Sequence, residues 1–171
     1  MDTAGLLTDA FGRVREVVHE TLDGITAAQL HWRADTDANT VAWLVWHLTR
    51  VQDDHVADVA GREQVWTAQG WHERFGLPLP VGDIGYGHDS DEVASVRVPD
   101  AALLLGYLDA VHASTVAFVA GLSGEDLDRV VDTRWDPPVT LGVRLVSVVS
   151  DDLQHAGQAA LLRGIAERTG V

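Results

Sequence analysis

Neither cysteine nor lysine occurs anywhere in the 171 residues. Without cysteine there is no disulfide and no thiolate metal ligand, and any sulfur chemistry must use a thiol brought from outside. Without lysine there is no Schiff-base mechanism, and all twelve Lys+Arg positions are arginine. Positive charge is outnumbered throughout. The formal charge of −14 makes a surface that repels phosphate backbones and anionic lipid, so neither nucleic acid nor membrane is an expected partner. The opening "MDTAGLLTDAFGRVREVV" lacks the basic region and apolar stretch of a signal peptide. No uninterrupted apolar run reaches the length of a membrane span, and the cytoplasm is the expected compartment. What is abundant is apolar side chain. A hydrophobic content of 46% over this length suits one domain, residues 1–171, with a substantial core.

The apolar residues fall at helical spacing in four long stretches. Residues 2–22 place Leu6, Leu7, Ala10, Phe11, Val14, Val17, Val18 and Leu22 on an amphipathic helix that Asp23-Gly24 stops. "TAAQ", Thr26 to Gln29, matches a capping box opening a short helical turn. Asn39 is the expected N-cap of a second long helix running to Gly61. Residues 61–98 are rich in Gly, Pro and aromatics and read as a long connection with at most one or two short helices. A third helix follows, with Leu104, Leu108, Val111, Thr115, Phe118 and Leu122 on one stripe. After the short turn at "SGED" and an irregular "TRWDPPV", a fourth helix extends from about Thr140 to Arg168. Gly142, Gly157 and Gly164 inside it suggest close approach by a neighbour or ligand. The expected fold is all-α, a four-helix bundle. Its long crossover lets the second and third helices run parallel, in up-down-down-up order.

Two polar anomalies interrupt these faces. In "SDDLQHAGQ", Asp151 and His155 lie about 40° apart on the helix surface, one turn from each other, and Gln158 follows one turn later. In "WLVWHL", His47 is surrounded by Trp43, Leu44, Trp46 and Leu48. An i,i+4 pair presents two ligand atoms to one point, and a histidine from a facing helix would complete a three-coordinate face on a divalent ion. Two imidazoles and a carboxylate leave positions open, the pattern of a catalytic metal. The competing reading is a buried Asp151–His47 or Asp151–His155 hydrogen bond with no metal. Arg144, two turns before Asp151 on the same face, and Gln158 are the candidates for holding a cofactor or substrate. His55 reads as facing a neighbour or the surface, Asp54 as a support for the site or for substrate, and His72 and His88 as solvated loop residues. Trp66, Trp71, Phe75 and Tyr86 suggest that residues 61–98 form an apolar cover over the metal end.

Taken together, "NTVAWLVWHLTRVQDDHVADVAG" and "LVSVVSDDLQHAGQAALLRG" resemble the DinB/YfiT-like superfamily over essentially the whole chain. The resemblance implies an up-down-down-up bundle holding a divalent metal, usually with three histidines. One comes from the second helix and two from an H-x-x-x-H on the fourth, often continuing as "HRGQ". Here the ligands would be His47 and the "HAGQ" histidine His155, with Asp151 replacing the first histidine of the pair. Aspartate is harder and anionic, so the metal preference differs from that of a three-histidine site. Zinc or nickel is the expected ion. Relatives carry out thiol-dependent S-transfer and isomerisation with mycothiol, bacillithiol or glutathione, among them mycothiol-dependent maleylpyruvate isomerase. A lysine-free composition of GC-rich character fits mycothiol best.

These readings favour a metal-dependent enzyme, an S-transferase or isomerase that joins a low-molecular-weight thiol to a small-molecule electrophile, with a homodimer as the expected assembly. Two other readings stay open: a metal hydrolase, and a non-catalytic binding or dimerisation module with a vestigial site.

Overall fold

The computed structural model describes all residues, 1–171. Its long elements are four helices: α1 (Thr3–Leu22), α3 (Val41–Ala60), α7 (Ala101–Val119) and α8 (Leu141–Thr169). Each starts on a side chain that accepts a hydrogen bond from an otherwise orphaned backbone N–H: Asp2, Thr40, Asp100 and Thr140. The cap of α3 is Thr40 and not the expected Asn39, because the Thr40 hydroxyl is the group that reaches the Trp43 N–H. Gly61 and Gly170 end α3 and α8 in the left-handed conformation that glycine adopts without a Cβ clash. The Thr26–Gln29 capping box forms as expected and opens α2 (Ala27–Leu30).

The long helices close a ring of contacts, α1 to α8, α8 to α3, α3 to α7 and α7 to α1. Two apolar clusters fill the middle. One joins Leu7 and Phe11 at the start of α1, Leu141, Leu145 and Val148 at the start of α8, Val56 and Val59 near the end of α3, and Val119 at the end of α7. The larger one joins the opposite ends: Val14, Val18 and Leu22 of α1, Val41 to Leu48 of α3, Leu104 to Val111 of α7, and Ala156 and Ala159 of α8. The buried stripe of α7 is Leu104, Tyr107, Leu108, Val111, Thr115 and Val119. Phe118 and Leu122, expected on it, are only partly buried, against the smaller cluster. By length and composition α7 also reaches what a membrane span needs, although Asp109 interrupts its apolar run. Here it packs on α1 and α3, and its Asp109 meets Arg15 and His19 of α1 at 2.7 and 2.8 Å.

The connections hold more structure than their composition suggests. Residues 61–98 contain three short helices, α4 (Val65–Ala68), α5 (Trp71–Phe75) and α6 (Ser90–Ser95), rather than one or two. Between α7 and α8, a 3-10 turn (Glu125–Asp128) precedes a small antiparallel pair, β1 (Val130–Asp132) and β2 (Val139–Thr140), in the segment read as irregular. Of the three glycines in α8, Gly142 is approached by Leu127 and Gly164 by the end of the Arg168 side chain, each 3.3 Å from where a Cβ would lie, whereas Gly157 meets nothing within 4 Å.

Candidate metal centre

His47 enters the core because the α3 side chains around it are buried from Trp43 to Val51, all of them apolar except Thr49 and Arg50. The imidazole is 3% exposed and stacks on Trp43 with ring centroids 4.6 Å apart. Its Nδ1–H donates to the carbonyl of Ile84, which leaves Nε2 with a free lone pair. Burial lowers its basicity, and the nearby His155 acts in the same direction, so the ring is neutral at neutral pH, the form that ligates.

On α8, Asp151 and His155 stand one turn apart. The Nδ1–H of His155 donates to Gln158 Oε1 at 2.9 Å, so this ring also keeps Nε2 free. The His47 and His155 rings meet edge to face, 4.8 Å between centroids. One ligand atom from each of His47, Asp151 and His155 lies within 4.8 Å of the others. The closest Asp151–His155 approach, 3.7 Å, is too long for a hydrogen bond, which removes that form of the metal-free reading. Asp151 Oδ2 is buried without any hydrogen-bond partner. A bare carboxylate oxygen beside two inward lone pairs is a costly arrangement unless a cation lies among them. The donor set fits a divalent ion with positions left open.

The remaining parts of the site come from the crossover, where residue pattern carries few signals. Ile84 supplies the carbonyl, and Gly85 lets the backbone come close enough to do so. Its φ is +93°, and a Cβ there would lie 2.6 Å from His47 Nδ1 and 3.1 Å from Trp43. Gly85→Ala is therefore expected to weaken zinc binding by about 10–100-fold, the usual cost of a lost outer-shell partner. Calorimetric titration checks this, and an unchanged affinity would show that the 84–86 backbone does not orient His47. Tyr86 lays its ring edge-on to His47 at 5.5 Å, and its hydroxyl lies 3.4 Å from His55 Nε2. His88 is not a solvated loop residue, because its side chain is only 4% exposed. It accepts from Trp43 Nε1–H and donates from Nε2 to Asp83, each at 3.0 Å, tying residues 83–88 to α3. Trp66, Trp71 and Phe75 do not cover the metal end. They gather around Tyr107 on α7, leaving Tyr86 as the one aromatic of that group at the site.

Arg144 does not touch the ligands. It binds Asp132 at 3.0 Å and His55 Nδ1 at 3.3 Å. A guanidinium only donates, so His55 must carry its proton on Nε2, facing Tyr86. Burial and Arg144 together hold His55 below the usual histidine range. Next to this pair opens a polar cavity of about 400 Å³, lined among others by Asp54, His55, Asp58, Arg62, Arg134 and Arg144. Of the adjacent aspartates, Asp152 rather than Asp151 is the fully buried one. Neither of its oxygens is hydrogen-bonded, and burial, with the Asp151 charge beside it, pushes its pKa well above the usual carboxylate range.

The profile of the DinB superfamily matches residues 10–159. A conserved protein of Enterococcus faecalis, known from its crystal structure, is 34% identical with a TM-score of 0.89, over 95% of this chain and 96% of that one. A search of curated proteins found no match. His47, Asp151 and His155 all lie inside the matched span, and the chain belongs to the DinB superfamily.

Proposed function

We propose that this protein is a divalent-metal-dependent enzyme, a transferase or isomerase that adds a low-molecular-weight thiol of the mycothiol type to a small electrophile. The observation that carries the reading is the convergence of His47, Asp151 and His155, with both imidazoles turned so that Nε2 is free. The lack of cysteine supports an external thiol. Zinc or nickel suits two imidazoles, and the Asp151 carboxylate adds a charge that the three-histidine relatives lack. We read the scaffold, residues 1–171, as an up-down-down-up four-helix bundle. In support, the starts of α1 and α8 share one apolar cluster with the ends of α3 and α7. The charge of −14 supports a cytoplasmic enzyme of small molecules, without nucleic-acid or membrane partners.

His47, Asp151 and His155 would hold a divalent ion, and the chemistry it would supply there is Lewis acidity that lowers the pKa of a bound thiol. The chain's own residues do the rest. His55, fixed by Arg144 as the Nε2–H tautomer, donates to the Tyr86 oxygen and leaves the phenol proton free for a group entering from the cavity. Burial and the nearby Asp151 charge keep that phenol protonated. Arg144 presents positive charge at the wall of the cavity, where it suits an electrophile bearing a carboxylate. Gln158 supports His155 from outside.

Cobalt substitution tests the reading. Adding thiol to the cobalt protein should produce a thiolate-to-cobalt charge-transfer band, whereas a hydrolase that takes only water would show none. Arg144→Ala should leave the band intact and raise KM for a carboxylated electrophile about tenfold or more, the scale of one lost charge-assisted hydrogen bond. An unchanged KM would remove Arg144 from substrate binding.

A further inference from the structure

The outward side of α8 has a composition that nothing inside the chain explains. From Leu141 to Gly164 its exposed residues are Val143, Val146, Ser147, Ser150, Leu153, Gln154, Gly157, Gln158, Ala160 and Leu161. None is charged, although 22% of the protein is charged and the total stands at −14. Val143, Val146, Leu153 and Leu161 are 57%, 65%, 40% and 62% exposed. Gly157 is equally unexplained from within. A Cβ there would meet nothing within 4 Å, yet glycine in mid-helix costs roughly 1 kcal/mol relative to alanine. At Gly164 the nearest obstacle is the end of the flexible Arg168 side chain.

The positions Val143, Val146, Ser150, Leu153, Gly157, Ala160 and Gly164 follow alternating steps of three and four, the seam of a two-helix coiled coil. Their sizes run from large to small along the helix. If a second α8 is laid antiparallel with the two-fold axis level with residue 155, Val146 faces Gly164, Ser150 faces Ala160 and Leu153 faces Gly157. Every large side chain between Val146 and Gly164 then meets a small one, as interdigitated packing requires. The small-residue end is already a depression. A groove of about 350 Å³ runs between α1 and α8, floored by Val17, Thr21, Ala160 and Gly164. Arg163, Glu20 and Glu167 stand around it as a polar rim.

We propose that this face is a two-fold interface between copies of the chain, in which the Val146 and Leu153 side chains of one α8 seat against Gly164 and Gly157 of the other. The occupant is a second copy because the face is self-complementary only under a two-fold. The absence of charge also lets two chains of the same high negative charge approach there.

Sedimentation velocity and cysteine cross-linking of the full chain test this. The chain has no cysteine of its own, so every disulfide comes from introduced residues. Ser150→Cys/Ala160→Cys places its two thiols about 15 Å apart along one helix, beyond disulfide reach, but opposite each other between copies. The expected results are a dimer at micromolar concentration and a disulfide-linked dimer of the double variant under mild oxidation. Leu153→Arg should weaken association at least about a hundredfold while keeping the helical circular dichroism, since its site is on the surface. Val146→Arg provides an independent repeat should Leu153→Arg misfold. A chain that stays monomeric at 100 μM or so would overturn the interface, as would a dimer indifferent to both arginines. A dimer whose double-cysteine variant does not cross-link would overturn the antiparallel register.

Discussion

Replacing His155 with alanine is expected to abolish stoichiometric zinc binding while leaving the fold in place. The imidazole is one of three groups that converge, and without it only His47 and Asp151 remain. Its side chain is 19% exposed and lies outside both apolar clusters, so truncation opens no cavity in the core. Gln158→Ala sets the scale for a lesser loss. It removes the acceptor on His155 Nδ1 and should weaken binding about 10–100-fold without abolishing it. Asp151→His points the other way, restoring the usual three-histidine set of relatives, and should keep or strengthen zinc binding. Competition titration against a chromophoric chelator ranks all three. If His155→Ala bound zinc as tightly as the parent, His155 would not be a ligand.

The second large effect concerns a group far less conspicuous in the sequence. Asp53→Ala is expected to destabilise the protein by about 3–5 kcal/mol, the cost of removing one partner from a buried ionic network. The Asp53 carboxylate accepts hydrogen bonds from the Val65 and Trp66 N–H groups at 2.9 and 2.7 Å, capping α4, and from the Tyr107 hydroxyl at 2.9 Å. Tyr107 in turn accepts from Arg50, which is fully buried, and Arg50 also donates to the Gln64 side chain and the Asp83 carbonyl. Truncation would leave two orphaned backbone donors and a buried guanidinium without its countercharge. Domains of this kind have only about 5–15 kcal/mol of stability in total. The loss should reach the metal as well, because Arg50 helps to hold the segment that presents Ile84 to His47. Urea denaturation measures the effect, with Asp53→Asn expected to fall between parent and alanine. A loss under about 1 kcal/mol would mean that the crossover is held by its aromatics instead.

How much of this could be read from the sequence depends on the range of the interactions involved. The long helices and their ends were legible because their signals are local: the spacing of Val14 and Val18, the Thr26–Gln29 box, the glycine at 61. The three candidate ligands were legible for a similar reason, as a polar i,i+4 pair and a histidine set among tryptophans. Pattern could not separate Asp151 from Asp152. Neighbours on a helix differ by about 100°, and only the packing of α3 against α8 decides which one is buried. The contacts made by Ile84, Gly85 and His88 were out of reach because their partners on α3 are 37 or more residues away. The "DIGYGHD" segment offered one usable signal, closely spaced glycines beside a tyrosine and a histidine. The role of Asp53 was hidden in "QDDH", where a buried carboxylate and a half-buried one look alike.

The central claim, that His47, Asp151 and His155 form a metal centre, is tested most directly by metal content. Protein loaded with zinc, freed of excess by gel filtration and analysed for zinc and sulfur-calibrated protein in one elemental measurement, should retain about one ion per chain, with ligand distances by X-ray absorption of about 2.0–2.2 Å to nitrogen and oxygen. Less than roughly a tenth of an ion per chain, in protein whose helical content and thermal unfolding are intact, would contradict it.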